Sequence, residues 1–244
     1  MRAVINFENR GVVKLPLQYN YLVESAIYSS LSAELSSFLH EYGFSEGNRR
    51  FKLFTFSRLM GRYRIEGSSI SFTGRISLAV SSPIKRFVEE LVNGVAKAGR
   101  LRIGRSILKV ASVYFPESPR IGETVYARTL SPITVYSTLY TADRKRKTYY
   151  YSPYEREFSE LITSNAMKKL RLISRRTVKR GLSLSPVRMK EVIVSYKGTV
   201  VKAWSGSFIL SGPVSLIRTV YDAGLGSKNS QGFGMFEIVE GKRW

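Results

Sequence analysis

Apolar and polar residues alternate over residues 3–8, the two-residue period of a short strand with one buried face. Over residues 19–40 the period lengthens, and Leu22, Ile27, Leu31, Leu35 and Phe38 form the apolar stripe of a helix. Residues 51–57 and 70–80 return to strand patterning across a polar turn. A helix is expected over residues 83–97, with Pro83 in its first turn, and a strand over residues 101–114. The order is βαββαβ, the ferredoxin-like arrangement.

The second half repeats that order. Residues 125–136 read as a strand. Ser152-Pro153-Tyr154-Glu155 combines a capping box with proline at the first helical position, and Phe158, Leu161 and Ile162 continue the helix. Residues 187–195 and 199–210 read as strands joined at Tyr196-Lys197-Gly198. A helix over 213–223 and a strand over 232–239 complete the set. The expected fold is α+β, with two tandem ferredoxin-like domains over residues 1–119 and 120–244.

Charge adds the partner. Thirty-nine Lys and Arg against 18 Asp and Glu give a net charge of +21 in 244 residues, which points to a polyanion, nucleic acid first. Residues 168–180 carry Lys168, Lys169, Arg171, Arg175, Arg176, Lys179 and Arg180 without an acid. Arg144-Lys145-Arg146-Lys147 precedes Tyr149-Tyr150-Tyr151, basic residues beside rings that suit stacking on unpaired bases. The chain has no cysteine, which removes disulfides, zinc ribbons and thiol nucleophiles. Its only aspartates are Asp143 and Asp222, and no three carboxylates share a metal-binding spacing. Phosphodiester cleavage by this chain is therefore expected to need neither metal nor cofactor. No signal-peptide pattern and no apolar run of roughly 18 residues is present, so a cytoplasmic protein off the membrane is expected.

The glycine-rich stretch from Gly224 to Gly234 excludes two familiar phosphate motifs. It joins a helix to a strand, the reverse of a dinucleotide fingerprint, and Phe233 follows Gly232 where a P-loop needs lysine. Gly224, Gly226, Gly232 and Gly234 read either as an anion cradle of outward N–H groups or as a plain flexible connection. This G-x-G-x(5)-G-x-G element, between the last helix and strand of a second ferredoxin-like domain, resembles the signature loop of the RAMP superfamily. Leu130-Ser131-Pro132-Ile133 and Gly232-Phe233-Gly234-Met235 extend the likeness. Ala26-Ile27-Tyr28, Phe38-Leu39-His40-Glu41 and Lys52-Leu53-Phe54-Thr55 resemble the segments in which archaeal-type CRISPR-associated Six endoribonucleases carry a tyrosine, a histidine and a lysine.

That resemblance implies an endoribonuclease cutting precursor CRISPR RNA within its repeats. It leaves 2′,3′-cyclic phosphate and 5′-hydroxyl ends. His40, the chain's single histidine, would be the general acid, since a free imidazole titrates near neutrality. Tyr28 would take the proton of the 2′-hydroxyl, its phenol lowered by Lys52, Arg49 and Arg50, and Lys52 would stabilise the phosphorane. The division of labour between Tyr28 and His40 stays open. The glycine loop, with Lys228 as its charged side chain, would contact RNA. A CRISPR effector complex and a homodimer are left open as further partners, and a non-catalytic RAMP subunit as the alternative reading. Tyr28 and His40 lie twelve residues apart, about 18 Å on one straight helix, so a shared site requires a break between them. Serines 29, 30, 32, 36 and 37 predict one.

Overall fold

The computed structural model describes residues 1–140 and 143–239. Its first half runs β1 (Arg2–Glu8), β2 (Val13–Pro16), α1 (Asn20–Ser29), α2 (Ala33–Ser37), a π-helical turn (Phe38–Tyr42), β3 (Phe44–Glu46), β4 (Arg49–Phe51), β5 (Thr55–Phe56), β6 (Met60–Glu66), β7 (Ser69–Ser81), α3 (Lys85–Ala98), β8 (Arg100–Ile103) and β9 (Ser106–Tyr114). The second half runs β10 (Thr124–Thr129), β11 (Tyr136–Tyr140), β12 (Arg146–Tyr150), α4 (Arg156–Ser174), β13 (Ser183–Tyr196), β14 (Thr199–Ser211), α5 (Val214–Ala223), a 3₁₀ turn (Asn229–Gln231) and β15 (Phe236–Ile238).

Both halves have the ferredoxin-like strand order. In the first, β1 lies between β7 and β9, and β5 and β6 pair on the far side of β7. In the second the order is β13-β14-β10-β15. All these pairings are antiparallel, and each sheet packs its helices over an apolar core of its own. Strand β1 is buried at nearly every position, not at alternate ones. The reason is that the face away from α1 and α3 meets the other half: Val4 and Ala79 pack with Met235.

The junction is also polar. Arg2 donates to the carbonyls of Tyr221 (3.2 Å) and Phe236 (2.9 Å), Thr55 Oγ1 to Phe233 O (3.0 Å) and Asn20 Nδ2 to Gln231 O (3.0 Å). The long β13–β14 hairpin reaches back to the segment just before α1, where Ser195 N donates to Gln18 Oε1 (3.0 Å).

Several expected elements differ, for local reasons. The helical stretch from 19 to 40 breaks after Ser29, among the serines that predict a break there. Ser32 takes an extended conformation, and its hydroxyl accepts from Leu35 N (3.3 Å), starting α2 afresh. The strand read over 51–57 is split at Leu53, whose φ is +54°. The polar turn expected between 57 and 70 holds β6, nearly all exposed and so without an alternating signature. The strand read over 101–114 is the hairpin β8–β9. The strand read over 125–136 ends at Thr129: Leu130 N and Ser131 N turn to Met235 O, and the chain meets β14 again only at the Ile133–Trp204 bridge. Helix α4 starts at Arg156, past the capping box, where Ser152 N donates to the Glu155 carboxylate ahead of the first turn. The last strand keeps only three residues, since Gly232 and Gly234 have φ of +83° and +80°.

Candidate active site and RNA cleft

The break between α1 and α2 folds the chain back on itself. Glu90, on α3, accepts from both Ser32 N (3.1 Å) and Ser32 Oγ (2.6 Å) and holds the turn. The π-helical turn then carries His40 round to face Tyr28: the ring centroids are 6.2 Å apart and nearly perpendicular. Gly43 ends this turn at φ +64°, with its N–H on Phe38 O (2.7 Å). Lys52 approaches from the next segment, its ammonium donating to His40 O (2.8 Å) and to Leu39 O. Cationic donors suit the carbonyl end of a helix. The three expected catalytic residues thus converge, with His40 exposed and Tyr28 and Lys52 half-buried.

The electrostatics correct one expectation. Tyr28 is raised above the ordinary tyrosine range, first by burial and then by the nearby Glu24 carboxylate. The cations expected to ionise it do not do so, and it stands as a neutral phenol. Lys52 is lowered by burial first, with Arg50 adding to the shift. Glu24 itself is raised by burial, although its carboxylate accepts from the Tyr196 hydroxyl and feels Lys197, His40 and Lys52. Glu24 and Tyr196 bring the second half into the site. Sequence reading missed both, since their pairing spans 172 residues and no local pattern marks it.

The glycine loop also departs from expectation. Its four glycines are buried, not turned outward. A Cβ on Gly234 would lie 2.0 Å from Leu225 O, and one on Gly232 would lie 2.6 Å from the Phe56 ring. Gly232 allows close packing against the first half and the other three allow it within the second, and the part left reachable is Ser227 to Gln231. Lys169, expected on the RNA-binding surface, is 1% exposed. Its ammonium donates to Gly224 O (2.7 Å), Gly226 O (3.2 Å) and Asn229 Oδ1 (2.6 Å), and Asn229 Nδ2 donates on to Leu225 O and Phe233 O. Lys169 is therefore an internal brace of the loop and does not reach RNA. Burial lowers its pKa to about 7.

The rest of the basic run divides. Arg171 pairs with Glu46 at 2.6 Å across the junction, and Arg180 pairs with Glu123 at 2.8 Å. Lys168, Arg175, Arg176 and Lys179 remain as solvent-facing cations at the end of α4 and just beyond. The 144–151 cluster lies on the β11–β12 ribbon, where Arg146 sits 5.9 Å over the Tyr140 ring. Between the halves a cleft of about 540 Å³ is walled by Arg49 to Phe54 on one side and by Tyr136, α4 and the loop from Ser227 to Gln231 on the other. Five basic side chains and no acid line it. Among the described residues no three His, Asp or Glu side chains gather as a metal site, and no helix is long and apolar enough to cross a membrane.

Two ferredoxin-like sheets close over a basic cleft. A solved RAMP protein described as binding different RNA substrates has this fold, with a TM-score of 0.82 at 20% identity over 98% of this chain and all of that one. The chain belongs to the CRISPR-associated Cas6 family: the profile for the Cas6 N-terminal part matches residues 14–114, and that for the C-terminal part matches residues 115–238. A CRISPR-associated endoribonuclease Cas6 of Methanocaldococcus jannaschii is 29% identical, covering 99% of this chain and 94% of its own. The corresponding Pyrococcus furiosus endoribonuclease is 27% identical over 94% of this chain and 85% of its own. A solved CRISPR-associated Cas6 protein superimposes with a TM-score of 0.81 at 27% identity, covering 98% and 99% of the two chains.

Proposed function

We propose that this chain cuts precursor CRISPR RNA within its repeats, using the RNA's own 2′-hydroxyl as nucleophile. The observation that supports this best is the bend that brings the single histidine, His40, within 6.2 Å of the Tyr28 ring, with Lys52 on the histidine's own carbonyl. In this reading the 2′-oxygen attacks phosphorus and its proton leaves to solvent. The P–O5′ bond breaks as His40 protonates the departing oxygen. Tyr28, kept neutral by burial, hydrogen-bonds the attacking hydroxyl and aims it. Lys52 stabilises the charge on the phosphorane oxygens. The Ser227–Gln231 part of the loop, with Lys228, the half-buried Lys168 and the exposed cations Arg175, Arg176 and Lys179 hold the backbone. Relatives named as CRISPR-associated endoribonucleases, matched along nearly the whole chain, support the substrate.

The test is incubation with a repeat transcript in excess EDTA. Cleavage should proceed, leaving a 2′,3′-cyclic phosphate upstream and a 5′-hydroxyl downstream. A single 2′-deoxy nucleotide just 5′ of the cut should block cleavage while the RNA still binds. Activity that needs added Mg²⁺, or cutting of the deoxy substrate at the same bond, overturns the mechanism.

A further inference from the structure

The cleft between the halves contains polar groups that the chain leaves unsatisfied. Asn165 projects from α4 one helical turn before Lys169 and lines the cleft. The residue is 7% exposed, yet its Oδ1 has no hydrogen-bond partner among the described residues. Gln231, on the loop wall of the same cleft, likewise has a buried Oε1 without a partner. Buried amides are ordinarily satisfied, and an unsatisfied one calls for a specific explanation. At the rim, Lys228 holds its ammonium 5.2 Å over the Tyr136 ring, in a left-handed backbone conformation with φ +58°. The cleft also opens onto Lys52, one of the three converging residues.

We infer that this cleft is a pocket for one unpaired nucleobase of the bound RNA, next to the scissile phosphate. The inference rests on the RNA-cutting reading above and adds a base-recognition subsite to it. A primary amide offers an acceptor and two donors on a planar group, which matches the paired donor and acceptor on a base edge. The amides of Asn165 and Gln231, whose acceptor oxygens are closed to solvent in the free chain, turn into the cleft to read that edge. The base stacks on Tyr136, and Lys228, displaced from the ring, turns to the adjoining phosphate. The cleft volume falls within the roughly 300–1,000 Å³ that small-ligand pockets occupy. With only basic residues among its charged lining, it favours a ligand carried on a polyanion.

The experiment uses the full chain carrying His40→Ala, with RNA integrity checked on a gel. Affinity is measured for the intact repeat RNA and for a series in which one nucleotide at a time is abasic. One abasic position should weaken binding about 10-fold, the scale of losing a stacked base. Adding Asn165→Leu should weaken the intact repeat by a similar factor and remove the penalty at that one position, while penalties elsewhere persist. If melting shows that Asn165→Leu unfolds, Tyr136→Leu at the rim carries the same test. Losses that multiply at every position, as a merely structural role would give, overturn the pocket alone. Failure of the intact repeat to bind overturns the RNA reading and this inference with it.

Discussion

The first crossover helix of each half starts from the same place in the same topology, and the two have opposite fates. In the first half it stops after ten residues, turns at Ser30 to Ser32 and resumes as α2 and a π-helical turn. In the second it runs unbroken for 19 residues as α4. The broken helix brings His40 and Tyr28 together, which a straight one would keep apart. The continuous helix presents Asn165 and Lys169 on one face to a loop that needs a rigid support. One topology thus gathers Tyr28 and His40 where its helix bends and braces the glycine loop where it stays straight.

The sharpest way to break this comparison is His40→Ala. Single-turnover cleavage should fall about 10²-fold or more while repeat affinity stays unchanged. Equal loss of both would place His40 in binding, with the second half. Next in size is Gly234→Ala. A left-handed backbone and a carbonyl 2.0 Å from the new Cβ should cost about 2 kcal/mol or more in denaturation, with RNA binding lost alongside. Retention of stability with lost binding would restore the glycines to direct RNA contact.

Third is the pH dependence of the Lys169 brace. Its folded pKa of about 7 lies below the ordinary 10.5. Between those values the unfolded chain binds a proton that the folded chain does not, so the Lys169 contribution to stability rises with pH, by no more than about 1.4 kcal/mol per unit. Below pH 7 it is flat. Denaturation at pH 6.5, 7.5 and 8.5 should show the wild type gaining on Lys169→Met only above neutrality. The smallest effect belongs to Ser32→Ala, which removes the cap of α2 at about 1 kcal/mol. A larger drop in cleavage than in stability would show that the bend positions His40 as well as stabilising α2.

The two βαββαβ halves were legible because their core strands are apolar runs bounded by turns and their helices carry apolar stripes. Strand β6 and the β11–β12 ribbon were not, since residues such as Arg62, Arg64, Arg146 and Lys147 face water on elements with little buried side to mark a period. Of the site, the serine-rich break could be anticipated once the resemblance set Tyr28 and His40 at one phosphate, because two residues twelve apart cannot meet on a straight helix. The brace was illegible for the opposite reason. Lys169 sits in a run of cations and looks like its neighbours, and only the packing of a loop some 55 residues later buries it. Glu24 and Tyr196 gave no signal, because their meeting is a property of the closed pair of halves.

The hydrogen bond from Thr55 to Phe233 joins residues 178 positions apart. On a ribosome adding roughly 5–20 residues per second, the segment bearing Tyr28, His40 and Lys52 emerges about 10–35 s before the glycine loop that closes over it. During that interval the nascent chain carries its reactive side chains without the opposite wall of the cleft. Closure of the cleft therefore waits on translation of its second wall.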